Sequence, residues 1–119
     1  MTRPLEGIRV LDLGHVLAMP TCTMQLADLG AEVIKIERPD SGDDSRHFGP
    51  FLHGESAYLM SINRNKKSMT LDLKQEKGKE IFRQLVKKAD VVTENYRPNT
   101  MEKLGLGYEQ LKEINPKII

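Results

Sequence analysis

The sequence predicts an α/β domain built on a mainly parallel sheet, and two patterns carry that expectation. Short β-rich runs alternate along the chain with stretches of helical periodicity. The first set, a run at 8–13, a helix-patterned stretch at 21–29 and a second run at 32–37, closes within ~30 residues, the length a βαβ unit needs. A right-handed crossover between parallel strands is then the default.

The elements follow in order. Ile8 to Leu13 is a β-rich run ended by Gly14; Pro20 suits the first position of a helix over Thr21 to Leu29, and Gly30 suits its stop. Glu32 to Glu37 forms the second strand. From Arg38 to Gly54 the chain holds Pro39, Ser41, Gly42, Asp43, Asp44, Gly49 and Pro50, a turn-forming composition that reads as a long surface excursion. A short helix is expected over Ser56 to Ile62 and a third strand over Ser68 to Leu71. Asp72 and Gln75 have the spacing of a capping box for the next helix, in which Ile81, Phe82, Leu85, Val86 and Ala89 share one face. Asp90 to Glu94 reads as a fourth strand, Asn95 to Asn99 as a turn, and Tyr108 to Ile114 as a helix stopped by Asn115-Pro116. Lys117 to Ile119 reads as the opening of a fifth strand.

At 119 residues the chain is long enough for one domain and too short for two, so one fold unit is expected over 1–119. Eighteen Lys+Arg against seventeen Asp+Glu leave a net charge of +1, so no global field favours nucleic acid, and an anion site must be local. The sole cysteine, Cys22, excludes an internal disulfide and fits a reducing, cytoplasmic compartment. No signal-like segment opens the chain and no apolar run is long enough for membrane insertion. His15, His47 and His53 lack the companions a metal site needs, and none is expected.

In open α/β sheets ligands lie beyond the carboxyl ends of the strands, which selects His15 to Pro20, Arg38 to Arg46, Leu71 to Lys74 and Asn95 to Lys103. Those loops carry Arg38, Lys74, Arg97 and Lys103 as partners for phosphate. The segment after the first strand, Gly14 to Met19, lacks the G-x-G-x-x-G spacing of a dinucleotide site. Glu37 stands where a ribose acceptor would be, with Arg38 beside it suiting a phosphorylated ribose such as that of NADP or of CoA; position alone does not separate the two. His15 is as well suited to a structural hydrogen bond as to acid–base work.

Taken in order, Pro4 to Leu13 (PLEGIRVLDL), Ala27 to Pro39 (ADLGAEVIKIERP), Gly42 to Arg46 (GDDSR), Asn63 to Ser68 (NRNKKS), Leu71 to Lys74 (LDLK), Glu94 to Pro98 (ENYRP) and Leu104 to Tyr108 (LGLGY) resemble the start of the family III CoA transferases. That group includes formyl-CoA transferase, carnitine CoA transferase and α-methylacyl-CoA racemase. The resemblance covers essentially the whole chain and implies the N-terminal part of a Rossmann-like, CoA-binding large domain, in an interlaced homodimer when full length. It implies CoA contacts at Val16, Leu17, Arg38, Leu71, Lys74, Asn95, Tyr96, Arg97 and Lys103. Coenzyme A would be a substrate, exchanged between an acyl-CoA and a small carboxylate, with no cofactor bound covalently.

The family's nucleophile is an aspartate that would lie beyond Ile119, so no catalytic residue is assigned here. It attacks the donor thioester and passes through anhydride and aspartyl-thioester intermediates. Met19 replaces a glycine of the family's A-G-P turn. Leu17 replaces the glutamine of formyl-CoA transferases, which implies an acyl group larger or less polar than formyl or oxalyl. An acyl-CoA racemase of the same superfamily, or a CoA-binding module without turnover, are the alternatives these residues leave open.

Overall fold

The computed structural model describes residues 2–119. Its centre is a four-stranded, all-parallel sheet of β1 (Arg9–Asp12), β2 (Glu32–Glu37), β5 (Lys67–Thr70) and β6 (Val91–Thr93), in the order β5-β2-β1-β6. Helix α1 (Ala18–Asp28) crosses from β1 to β2, α3 (Glu76–Val86) from β5 to β6, and α4 (Thr100–Lys103) and α5 (Tyr108–Ile114) follow β6. Between β2 and β5 lie a 3₁₀ turn (Asp44–His47), a two-stranded antiparallel hairpin of β3 (Phe51–Leu52) and β4 (Glu55–Ser56), and α2 (Ala57–Ile62). The predicted α/β class with a mainly parallel sheet is therefore the observed one. No described helix is long and apolar enough to cross a membrane.

Alternation along the strands divides the core into two layers. Val10 and Val33 pack with Ala27 and Ala31 on the α1 side. Leu11, Leu13 and Ile36 point the other way, into a larger cluster with Leu71, Phe82, Val86, Met101, Leu106 and Leu111 contributed by the turn after β5, by α3, α4 and α5, and by the turn between the last two. Helix α1 ends through Gly30, whose φ of +106° only glycine adopts cheaply.

Several boundaries differ from expectation. Pro20 is the third residue of α1 rather than the first, still within the turn whose N–H groups lack helical partners, so its ring costs the helix no bond. No capping box forms at α3: Asp72 turns back to accept from Lys74 N at 2.9 Å, and Gln75 is the N-cap without a side-chain bond. Ile81 is 47% exposed, facing a groove beside Thr70 and Pro39 at the β5 edge, while Phe82, Val86 and Ala89 are buried as the periodicity required. Lys117–Ile119 forms no assigned strand. Ile119 nonetheless donates to Asp90 O (3.1 Å) and accepts from Val92 N (2.9 Å), a single rung on the open side of β6. The 38–54 segment is not wholly a surface excursion, because Asp43 and Ser45 are buried.

Candidate functional site

The chain runs outward from β1 to β2 and β5, then returns to place β6 on the other side of β1. Crossovers on the two sides of β1 therefore leave in opposite directions, which opens a crevice at the carboxyl ends of β1 and β6. Three loops converge there. Leu13 N donates to Thr93 O at 2.8 Å. Asn95 bonds both polar groups of one residue, accepting from His15 N (2.8 Å) and donating to His15 O (2.9 Å). The His15 and Tyr96 rings lie 5.5 Å apart.

Two clefts share the walls Ile36, Glu37, Arg38 and Tyr96. One, of about 160 Å³, reaches Gly14 and His15; the other, of about 300 Å³, reaches Leu71, Lys74 and Leu104. The result is a groove with aliphatic and aromatic walls, Ile36, Leu71, Leu104 and Tyr96, and two cations, Arg38 and Lys74. Arg38 is exposed, donating through Nε to Ser41 Oγ at 2.7 Å and pairing with Asp44. Such an exposed pair is worth little and exchanges readily for a better anion. Burial pushes the Tyr96 phenol upward, and Glu94 adds to the effect, so its hydroxyl stays protonated.

Of the sequence-predicted site residues, Arg38, Leu71, Lys74 and Tyr96 line this groove together. Val16 and Leu17 stand at the start of α1, Leu17 52% exposed and Val16 half-buried at φ +64°. The N–H groups of Leu17, Ala18 and Met19 have no acceptor among the described residues. Asn95 sits at the crevice with its amide engaged by His15. Arg97 and Lys103 are exposed and line neither cleft. Met19, the departure from the family turn, packs over Gly14: a Cβ there would lie 2.6 Å from that of Met19.

Glu37 is not a free ribose acceptor. Its carboxylate accepts from Arg46 Nε and Arg46 Nη2 (both 2.7 Å), from Ser68 Oγ (2.6 Å) and from Asp43 N (2.9 Å). Burial alone would raise its pKa, but those donors outweigh it and hold the group at about 2. This occupancy removes the acidic partner a nicotinamide dinucleotide would use at that strand end.

Beneath the groove, on the α1 side, lies a buried ionic network that sequence reading did not find. Asp12, fully buried, accepts from Gly14 N (2.8 Å), Thr23 Oγ1 (2.6 Å), Lys66 Nζ (3.0 Å) and Thr93 Oγ1 (3.3 Å). Lys35 Nζ donates to Gly14 O at 2.8 Å and stands 2.8 Å from Asp43 Oδ2 in a buried ion pair. Burial would raise Asp43, but Lys35, Ser45 and Val16 N bring it down to about 2. The available signal was a charged residue at an inward strand position: Asp12 has the parity of Val10, and Lys35 that of Val33.

Folding takes Glu37 and Asp43 from their ordinary values of 4.5 and 3.8 down to about 2, so the folded state binds fewer protons than the unfolded one. Their stabilisation is full above pH 4.5 and is lost as pH falls toward 2. The melting temperature should drop across that window, and Glu37→Gln should flatten the acid limb while lowering the neutral plateau; an unchanged limb would contradict the assignment.

Residues 5–119 match the family described as CoA-transferase family III. The succinyl-CoA:glutarate CoA-transferase of Homo sapiens is 53% identical over 98% of this chain and 27% of its own length. The acetyl-CoA:oxalate CoA-transferase of Acetobacter aceti is 49% identical over 98% of this chain and 30% of its own length. Among solved structures, a CAIB/BAIF family protein from Brucella suis superposes with a TM-score of 0.93 at 45% identity, covering 100% of this chain and 32% of that one. The chain thus spans less than a third of the length of these relatives. With the family matched along almost all of its residues and the fold shared with a solved member, this chain belongs to CoA-transferase family III.

Proposed function

We propose that this chain supplies the CoA-binding crevice of an enzyme that moves CoA between an acyl-CoA thioester and a free carboxylic acid. The observation that carries the reading is the groove joining Arg38, Leu71, Lys74 and Tyr96 at the strand ends. Its cations suit the phosphates of CoA, its apolar and aromatic walls suit adenine and the pantetheine arm, and the saturated Glu37 disfavours a dinucleotide. Val16, Leu17, Asn95, Arg97 and Lys103 complete the proposed contacts, with Asn95 acting through its clamp on His15 and Arg97 and Lys103 through their exposed charge.

In this reading an aspartate beyond Ile119 attacks the thioester carbonyl and expels CoA thiolate, leaving a mixed anhydride. The thiolate then attacks the aspartyl carbonyl, releasing the donor's carboxylate and forming an aspartyl thioester. Attack by the acceptor carboxylate forms a second anhydride, and CoA thiolate takes the acyl group from it, freeing the aspartate. The free N–H groups of Leu17 and Ala18 are suited to the oxyanions that develop. Leu17 offers no polar group to a small dicarboxylate, which favours an acyl group longer than oxalyl. The relatives named for succinyl-CoA and glutarate point the same way. The working enzyme is read as a cytoplasmic homodimer.

The test is thioester exchange by the full-length protein, with succinyl-CoA as donor and glutarate, oxalate or formate as acceptor. Label should pass to glutaryl-CoA in preference to oxalyl-CoA. Epimerisation of a 2-methylacyl-CoA without exchange would overturn the transferase reading.

A further inference from the structure

Resting on the CoA reading above, a second role emerges for a residue outside the groove's proposed contacts. The turn from β1 into α1 is gripped by side chains from the end of β1, from β2 and from the loops after β2 and β6. Asp12 holds Gly14 N, Lys35 holds Gly14 O, Asn95 holds both polar groups of His15, and Asp43 Oδ1 accepts from Val16 N at 3.1 Å. Val16 stands at φ +64°, a region that crowds a β-branched side chain and persists only where the surroundings impose it. The next residues, Leu17 to Met19, carry the unbonded N–H groups.

Asp43 is built for this grip. It is 4% exposed, and its Oδ1 is fixed from the far side by Ser45 N (2.9 Å) and Ser45 Oγ (2.8 Å). Its Oδ2 faces Lys35, whose ammonium also reaches Gly14 O, so one buried ion pair holds the turn at Gly14 and at Val16. We propose that Asp43 is a positioning residue: by fixing Val16 in the left-handed conformation it keeps the donors at the start of α1 preorganised for the acyl-CoA. Capping the 3₁₀ turn through Ser45 would not by itself require the Val16 bond.

The experiment compares the full-length wild type with Asp43→Ala, and Lys35→Met/Asp43→Asn with Lys35→Met/Asp43→Ala, reading the Val16 amide by hydrogen exchange and kcat and KM by thioester exchange. In Asp43→Ala that amide should exchange faster, and kcat/KM should fall roughly 10- to 100-fold, as a displaced positioning element does. Lys35→Met/Asp43→Asn, whose amide oxygen can still accept from Val16 N with no ammonium facing its NH2 group, should recover most of both relative to Lys35→Met/Asp43→Ala. Where Asp43→Ala fails to fold because Lys35 loses its counter-ion, Lys35→Met/Asp43→Ala removes both charges and should show the same kinetic loss. Variants that melt earlier yet keep wild-type amide exchange and kcat/KM would overturn the proposal and leave Asp43 a structural cap. A wild type that exchanges no thioester and binds no CoA would instead overturn the functional reading beneath it.

Discussion

Asp12→Ala is expected to be the most destabilising single change in this chain, costing about 3–5 kcal/mol, because it strands a buried charge. Lys66 Nζ is 2% exposed with its side chain, and its other acceptors, Pro20 O and Asn63 Oδ1, are neutral. Burial already lowers the Lys66 pKa, with Asp12 opposing that shift. Removing Asp12 lowers it further, so the folded variant sheds a proton the unfolded chain keeps, and stability relative to wild type should recover as pH rises. Gly14 N loses its acceptor in the same step, and Thr23 Oγ1 is left with the carbonyls of Met19 and Pro20. Denaturant midpoints of the full-length protein at neutral and alkaline pH measure this. Asp12→Val/Lys66→Met, which deletes both charges, should be much closer to wild type than the single variant; an additive double variant would mean that the pair is not coupled.

Gly78→Ala should be destabilising by about 1–3 kcal/mol, the cost of overpacking, although alanine ordinarily improves an exposed helix by about 1 kcal/mol over glycine. The sign decides between the two effects. A Cβ at position 78 would lie 1.8 Å from the carbonyl oxygen of Asp72, a backbone atom that cannot swing away. Either α3 or the 71–75 turn must move, and that turn carries Leu71 and Lys74 of the groove. Gly78→Ala should therefore weaken CoA binding as well as stability, whereas Lys77→Ala, one residue earlier and exposed, should stay within about 0.5 kcal/mol of wild type. A stabilised Gly78→Ala protein would show that the close approach of α3 to the turn is not real.

The legible parts of this fold were those written in local pattern. The alternation of β-rich and helix-patterned stretches set the α/β class and its parallel sheet, the stop signals at Gly30 and Asn115-Pro116 bounded α1 and α5, and the strand-end rule brought Arg38, Leu71, Lys74 and Tyr96 to one edge. Long-range pairing was not legible. Lys66 meets Asp12 across 54 positions and Lys35 meets Gly14 across 21, and nothing local distinguishes these lysines from solvated ones. Helix α4 escaped because Thr100–Lys103 is only four residues long and follows a turn. Arg38 pairs with Asp44 because the nearer carboxylates, Glu37 and Asp43, are taken by Arg46 and Lys35, an allocation that no local pattern shows. Arg97 and Lys103 were chosen by loop membership, and the positions of their side chains along exposed segments were beyond what that rule sees.

The central claim, that the Arg38 groove is a CoA site, is tested most directly by calorimetric titration of the full-length protein with CoA, dephospho-CoA and NADP, repeated for Arg38→Ala. A charge-assisted contact worth about 1.5–3 kcal/mol corresponds to roughly a 10- to 100-fold change in Kd. CoA should bind most tightly, and either loss of the 3′-phosphate or Arg38→Ala should weaken it by that factor. Tighter binding of NADP than of CoA, or CoA binding indifferent to Arg38, would contradict the account.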